Sequence, residues 1–464
     1  MNAFARCACC LLSAISVLAA FAGCQAENVP QEPQMDHQST EPPDALVTIP
    51  FEELPEAEQS DLPVLSIVTE DGLPITSKTQ YKAASLSVGN QENAFFDLEV
   101  TMQIRGRGHS SFSADASQDD YKSKNSYRLK LDRAVNLLGV GKTKDRDWVL
   151  ISGKFDASAL RNYLVWDLAA RMGSIPYVPS CTWVNLWVNG DYRGMYTLVE
   201  QIEVESDRVN IDDSPATDAD AVGYLLEYDL RGAAQAEAAR DLTYFYLPGA
   251  DTEHEWVIKS RVHDVQTTAA IRTHLMACND AILSGDRMRM EQYVDMASFV
   301  DMFILQELSK NVDVGCASFY VQRSPGGKLC LTAPWDFDFA FGTYRDSVSY
   351  DGLIADGEGV ASHPWFEFLA TQPWFMRLVL ERMEQVEPML RKTLEKLMQM
   401  IPKLKKAADQ NDERWHIYGE KFSIYPSDQV SVDLESYPEH VEFLINWTQK
   451  RWKSLRKEVK KGVE

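Results

Sequence analysis

Asn311-Val312-Asp313, Ser318-Phe319-Tyr320-Val321 and Pro334-Trp335-Asp336-Phe337-Asp338-Phe339-Ala340-Phe341-Gly342 make up the stretch on which the reading of this chain turns. Two β-like runs flank Ser324-Pro325-Gly326-Gly327, a tight turn in which Pro presets φ and Gly supplies φ > 0. With Pro325 and Gly326 at its centre, Ser324 faces Gly327, and that register sets Asp313 opposite Asp338. Asp336 lies two residues from Asp338 and shares its face of the strand. The expectation is that these carboxylates converge on one side of one hairpin.

Clustered carboxylates repel and raise one another's pKa unless a cation sits among them. Oxygen ligands with no nearby His or Cys favour Mg²⁺, Ca²⁺ or Mn²⁺ over zinc. Mg²⁺ takes few protein carboxylates and completes its shell from water and phosphates, so the pattern suits a metal–nucleotide. The plainer alternative is a Ca²⁺ ion that only stiffens the hairpin.

The ordered set Asn-x-Asp, Ser-Phe-Tyr, Pro-Trp-Asp-x-Asp and Gly resembles the CotH family, atypical secreted kinases of bacterial spore coats. The resemblance extends back through Leu62-Pro63-Val64-Leu65-Ser66-Ile67, Arg105-Gly106-Arg107-Gly108-His109-Ser110-Ser111 and Lys124-Asn125-Ser126-Tyr127-Arg128. It continues in Leu160-Arg161-Asn162 and in Val188 to Glu200, covering about residues 60–345. It implies a distant protein-kinase-like fold, ATP as donor, Mg²⁺ or Mn²⁺ as cofactor, and a secreted or surface protein as acceptor. In a kinase-like mapping Asp313 orients the acceptor hydroxyl, while Asp336 and Asp338 hold metal. Ser318 stands where protein kinases carry Asn, a weaker ligand for a second metal.

Phosphoryl transfer also needs cations around the phosphates. Arg105 and Arg107, on a strand that runs into a small-residue loop, can approach phosphate with guanidinium and backbone N–H groups; a solvated turn is the alternative. Lys124 matches the family's lysine position, against an ordinary surface lysine beside Lys122 and Lys130. Arg161, next to an apolar helix stripe, requires a carboxylate or phosphate partner, with Glu200 as one candidate. Glu200 itself pairs with Lys124 or Arg161, or meets the nucleotide.

The chain opens with Arg6 and an apolar run from Leu11 to Ala22, too short to span a bilayer and shaped like a secretory signal. Ala20-Phe21-Ala22-Gly23-Cys24 resembles a lipobox, which makes residues 1–23 a lipoprotein signal peptide and Cys24 the lipidated N-terminus; ordinary signal cleavage or an uncleaved anchor are the alternatives. Residues 24–60, rich in Pro, Glu and Gln, bury too little apolar surface to offset chain entropy and read as a disordered tether. The expected protein is thus a membrane lipoprotein on the extracytoplasmic face.

Sixty-nine Asp and Glu against 46 Lys and Arg give a net charge of −23, which argues against nucleic-acid binding and favours a basic protein partner. Cys181, Cys278, Cys316 and Cys330 lack metal-binding spacing and read as free thiols; the hairpin register sets Cys330 opposite Val321.

Residues 61–464 are expected to form one α+β, bilobal domain. Strands at 63–69, 95–105, 126–132 and 147–152, a helix from Asp156 to Met172, the Asn189-Gly190 hairpin and a strand near 223–228 imply a β-rich lobe over about 61–230, with a further strand near 255–259. Helices over 266–284, 291–310, 373–406 and 438–461 imply a mainly helical lobe over about 231–464 that carries the aspartate hairpin. The sequence supports a kinase-like enzyme first, a non-catalytic surface or adhesion module with a structural divalent metal second, and a glycosidase third. A donor other than ATP stays open at this stage.

Overall fold

The computed structural model describes residues 61–89, 99–112, 123–229, 244–248, 253–261, 264–344, 347–357, 362–419 and 434–463. The signal segment, Cys24 and the tether lie outside them. The fold is α+β. Strands β1 (Val64–Thr69), β2 (Lys82–Gly89), β3 (Glu99–Arg107), β4 (Ser126–Val135), β5 (Asp145–Ile151), β6 (Cys181–Val188) and β7 (Asp191–Glu200) close into a barrel in the order β1-β2-β3-β4-β5-β7-β6. Every neighbouring pair is antiparallel except the closing one, where Val64 meets Asn185 in parallel. On β3 the inward residues are Val100, Met102 and Ile104, packed with Leu65, Leu129, Leu150 and Leu198 in the barrel core. The period of two therefore turns Arg105 and Arg107 outward on one side.

A second sheet has the order β12-β11-β8-β10-β9, built from β8 (Tyr224–Tyr228), β9 (Tyr244–Pro248), β10 (Glu253–Ile258), β11 (Phe319–Arg323) and β12 (Cys330–Thr332). β8, expected to side with the first strands, pairs instead with β10 and β11. Helix α1 (Arg161–Met172) interrupts the barrel strands. Helices α2 (Val265–Leu283), α3 (Arg287–Tyr293), α4 (Met296–Ser309), α5 (Pro364–Ala370), α6 (Pro373–Trp415) and α7 (Tyr437–Lys461) complete the fold. Their apolar faces share one large core with α1 and the second sheet, from Leu164 through Phe303 to Leu444. No helix among the described residues is long and apolar enough to cross a membrane.

The hairpin turn forms as expected: Gly327 N–H donates to the Ser324 carbonyl at 2.9 Å and Gly326 has φ 67°. The register does not. Tyr320 pairs with Thr332, Val321 with Leu331 and Gln322 with Cys330, one residue away from the expected alignment. Lys328 is the extra residue, because the turn closes at Gly327 and pairing resumes only beyond it. A one-residue slip exchanges the faces of a strand. The pairing also ends at Phe319 and Thr332, where Ser318 (φ 60°) and Ala333 (φ 44°) turn left-handed. Asp313 and Asp338 consequently lie beyond the ladder, in turns. Among the described residues Cys181, Cys278 and Cys330 are free thiols.

Candidate functional site

The acidic run 334–342 leaves the second sheet as irregular chain, and α1 holds it. Trp166 Nε1 donates to the Pro334 carbonyl at 2.7 Å, Phe337 N–H donates to Asn162 Oδ1 at 3.0 Å, and Arg161 Nε donates to the Ala340 carbonyl at 3.1 Å. Asn162 Nδ2 donates to Asp338 Oδ1. One face of the first helical turns thus reads the segment peptide by peptide. From the other side, Phe341 N–H donates to the Ser309 carbonyl at the end of α4. Asp336 has φ 66° and Phe341 φ 55°. Left-handed backbone at non-glycine residues costs energy, and it persists where the surroundings over-determine it.

Within this frame Asp336 is exposed and Asp338 is buried. Burial pushes the Asp338 carboxyl up to about 8, helped by the charges of Asp336 and Asp156 and opposed by the Asn162 hydrogen bond and the Arg161 charge. Among the described residues no arginine or lysine forms an ion pair with Asp338. Arg161 is committed elsewhere: it pairs with Asp156, whose other oxygen accepts the Arg161 N–H at 2.9 Å. This corrects the expected partner Glu200. The helix begins at Arg161, not at Asp156, because residues 156–160 form the turn that caps it, with Ser158 N–H donating to Asp156 at 3.1 Å.

Two cations from the barrel act on the aspartates. Lys124 is buried, with its ammonium donating to the carbonyls of Ser152 and, at 2.7 Å, Met195, and lying 4.4 Å from the Tyr196 ring centroid. Burial holds it well below the usual lysine range, the Arg193 charge adds to this, and Asp338 opposes it. Arg107 lies over the Trp335 ring at 5.3 Å; burial lowers it, while Asp336, Tyr320 and Glu227 pull it up. The outward period of β3 and the start of β4 therefore bring Arg107 and Lys124 toward Asp336 and Asp338.

Other expected residues sit elsewhere. Arg105 donates to the Lys78 carbonyl and lies over Tyr81 at 5.1 Å. Glu200 accepts from the Ser180 N–H at 2.8 Å and meets Tyr177, so neither Lys124 nor Arg161 is its partner. Asp313 is half-buried in the turn after α4; its carbonyl accepts from the amides of Cys316 and Ala317 at 2.8 and 3.0 Å. Ser318 immediately precedes β11. In the small-residue loop Gly108 has φ 91°, and Ser111 Oγ stands only 2.0 Å from where a Cβ would be, so any other residue would be strained there and would displace the Ser111 hydroxyl.

The convergence of Asp313, Asp336 and Asp338 on one side of one hairpin is not observed, because the pairing slips by one residue and ends before either flank. Among the described residues the group of three acids whose ligand atoms lie within 4.8 Å of one another is Asp145, Asp147 and Glu203, at the barrel wall. The sequence reading missed it because Glu203 comes from a loop over 50 residues downstream. Arg208 Nε meets Asp145 at 3.0 Å and its NH1 meets Glu203, while Arg128 meets Asp147 at 3.0 Å. Asn162 and Asp156 were missed as well, although the Leu-Arg-Asn triplet carried the signal for Asn162.

A family model described as CotH kinase protein matches residues 103–455. No curated protein matches the chain.

Proposed function

The chain belongs to the CotH kinase family, and on that premise we propose that it moves the γ-phosphate of ATP to a Ser or Thr hydroxyl of a secreted or surface protein. The family implies ATP and a divalent metal. The observation that carries the reading is Asp338: a buried carboxyl bonded by Asn162, raised by burial first and then by Asp336 and Asp156, whose own charge acts on Lys124. An acid so placed gains most from a divalent cation, and Asp336 on the exposed side completes the pair. In this reading the barrel and the helix-packed sheet are the two lobes of a kinase-like fold.

Asp336 and Asp338 would hold Mg²⁺ or Mn²⁺, with Ser318 assisting, and such an ion would supply positive charge against the phosphates. Arg107 supplies positive charge to the nucleotide from the opposite side, and Lys124, which burial holds below the usual lysine range, is drawn toward its charged form by the phosphates. Asp313 orients the acceptor hydroxyl. The acceptor oxygen bonds to the γ-phosphorus, the bond to the ADP oxygen breaks, and the hydroxyl proton passes to Asp313. Arg161 and Asn162 shape the site without touching the nucleotide, and Arg105 and Glu200 lie outside it. Net charge −23 favours a basic acceptor. Lipidation at Cys24 tethers the enzyme to the extracytoplasmic membrane face. The competing reading is a non-catalytic surface module.

Incubating the ectodomain with γ-labelled ATP, Mn²⁺ and surface extract tests this. Label transferred to protein and lost in Asp336→Ala supports the enzyme. Absence of both transfer and Mg·ATP binding supports the module.

A further inference from the structure

We propose that the last turn of α6 is a latch that positions Lys124, with Asn411 as the positioning residue. The proposal rests on the nucleotide role given to Lys124 above, and deepens it. Lys124 is not placed by a carboxylate. Its ammonium is held by two main-chain carbonyls, so its position follows from where those peptides sit.

One of them, Met195, lies in an irregular part of β7. Leu186 pairs with Gly194 but Trp187 pairs with Tyr192, which leaves Arg193 as an extra residue. A bulge of this kind is locally free to shift unless something outside the ladder fixes it. The end of α6 does so residue by residue. Arg414 meets Asp191 at 3.5 Å and donates to the Tyr192 carbonyl at 3.3 Å. Trp415 Nε1 donates to the Arg193 carbonyl at 2.8 Å, and its ring lies 5.0 Å from the Arg193 guanidinium. Asn411 Oδ1 accepts from the Met195 N–H at 3.1 Å. Gly194 has φ 90°, and a Cβ there would meet Asn411 Oδ1 at 2.2 Å, so the approach requires glycine. Arg193 in turn donates to the Ser123 carbonyl, one residue before Lys124.

The chain of contact is therefore Asn411 to the Met195 peptide, and the Met195 carbonyl to Lys124. The same helix is anchored at its other end, where Arg382 bonds Asp301 of α4 at 2.7 Å, and midway, where Lys396 and Thr393 bond Asp167 of α1 at 2.8 and 2.6 Å. The element that fixes the lysine is thus joined to the helix that holds Asp338.

The experiment follows the pH midpoint of amine-reagent labelling at Lys124, read by mass spectrometry against exposed Lys130, together with Mg·ATP affinity. Asn411→Ala is expected to move the Lys124 midpoint toward that of Lys130 and to weaken Mg·ATP binding about tenfold, the loss of one buried hydrogen bond. Trp415→Phe, which preserves packing, should shift the midpoint in the same direction by less; it carries the test if Asn411→Ala does not fold. An unchanged midpoint in a folded Asn411→Ala or, failing that, Trp415→Phe protein overturns the latch. A shifted midpoint with unchanged Mg·ATP affinity upholds the latch and instead removes Lys124 from the nucleotide site.

Discussion

Asp145, Asp147 and Glu203 on the barrel, and Asp156, Asp336 and Asp338 beside α1, are both gatherings of acids, yet their charge is balanced differently. On the barrel, Arg128 and Arg208 bond all three carboxylates directly, and Arg208 is almost fully buried among them. Beside α1, Arg161 is bonded to Asp156, and among the described residues Asp338 receives only the neutral amide of Asn162. Both groups contain a carboxyl raised to about 8 by burial first, Glu203 and Asp338. Proximity of acids alone does not separate a structural network from a cation site. The neighbouring guanidiniums do.

The largest effect that would break this comparison is catalytic. Asp338→Asn should lower phosphate transfer about 1,000-fold, the order expected when a group stabilising transition-state charge is lost, while exchanging a buried carboxyl already pushed up to about 8 for a neutral amide should leave the melting temperature equal or higher. Asp147→Asn should leave transfer within a few-fold of wild type. Steady-state assays on the two variants decide it, and a reversal of their ranks would exchange the roles of the two groups.

Next in size is stability. Arg208→Ala leaves buried acids without their counter-charge and should cost about 3–5 kcal/mol, measured by denaturant unfolding. The Mg·ATP affinity of the folded protein should not change. A loss under about 1 kcal/mol would mean that the barrel acids do not depend on their arginines.

Acid should weaken the second group's surroundings through His440, which burial and the Arg161 charge hold down to about 4 while Asp156 opposes them. The unfolded chain binds this proton near 6.5 and the folded chain only near 4. Stability is therefore full above pH 6.5 and falls as pH drops toward 4, by about 3 kcal/mol at most for this group. His440→Gln should flatten that part of the profile. An identical pH slope in the variant would exclude His440 as the cause.

The smallest effect sharpens how the site is held. Asn162→Ala frees both the Phe337 amide and Asp338, and should reduce transfer about tenfold with a stability loss of about 1–2 kcal/mol. Asn162→Asp, which places a further acid beside Asp338, should reduce transfer more. Equal activity in both variants would show that α1 does not position the segment.

Local features were legible in the sequence where local chemistry decides them. The Asn189-Gly190 turn, the Ser324–Gly327 turn and the apolar faces of α2 and α7 follow from residue type and period. What escaped is non-local. The parallel pairing of Val64 with Asn185 that closes the barrel joins residues over 100 apart, and no local pattern encodes it. Strand β2 carries Ala84, Leu86 and Val88 inward but is padded with Ala and Ser, which have little β-preference. In the candidate site, Lys124 and the Asp336–Asp338 pair were visible as motifs, whereas the hairpin register failed by a single residue, because Lys328 adds one position between the turn and the later strand. Arg161 was expected to need a carboxylate or a phosphate, and it has the carboxylate. Asp156, five residues earlier, reaches it through the capping turn, while Glu200 is turned toward Ser180.

Mn²⁺ uptake in the presence of ATP, compared between wild type, Asp338→Asn and Asp147→Asn, tests the central claim most directly. The account predicts that Asp147→Asn binds the ion as wild type does and that Asp338→Asn does not. Retained uptake in Asp338→Asn together with loss in Asp147→Asn would place the metal on the barrel and contradict it.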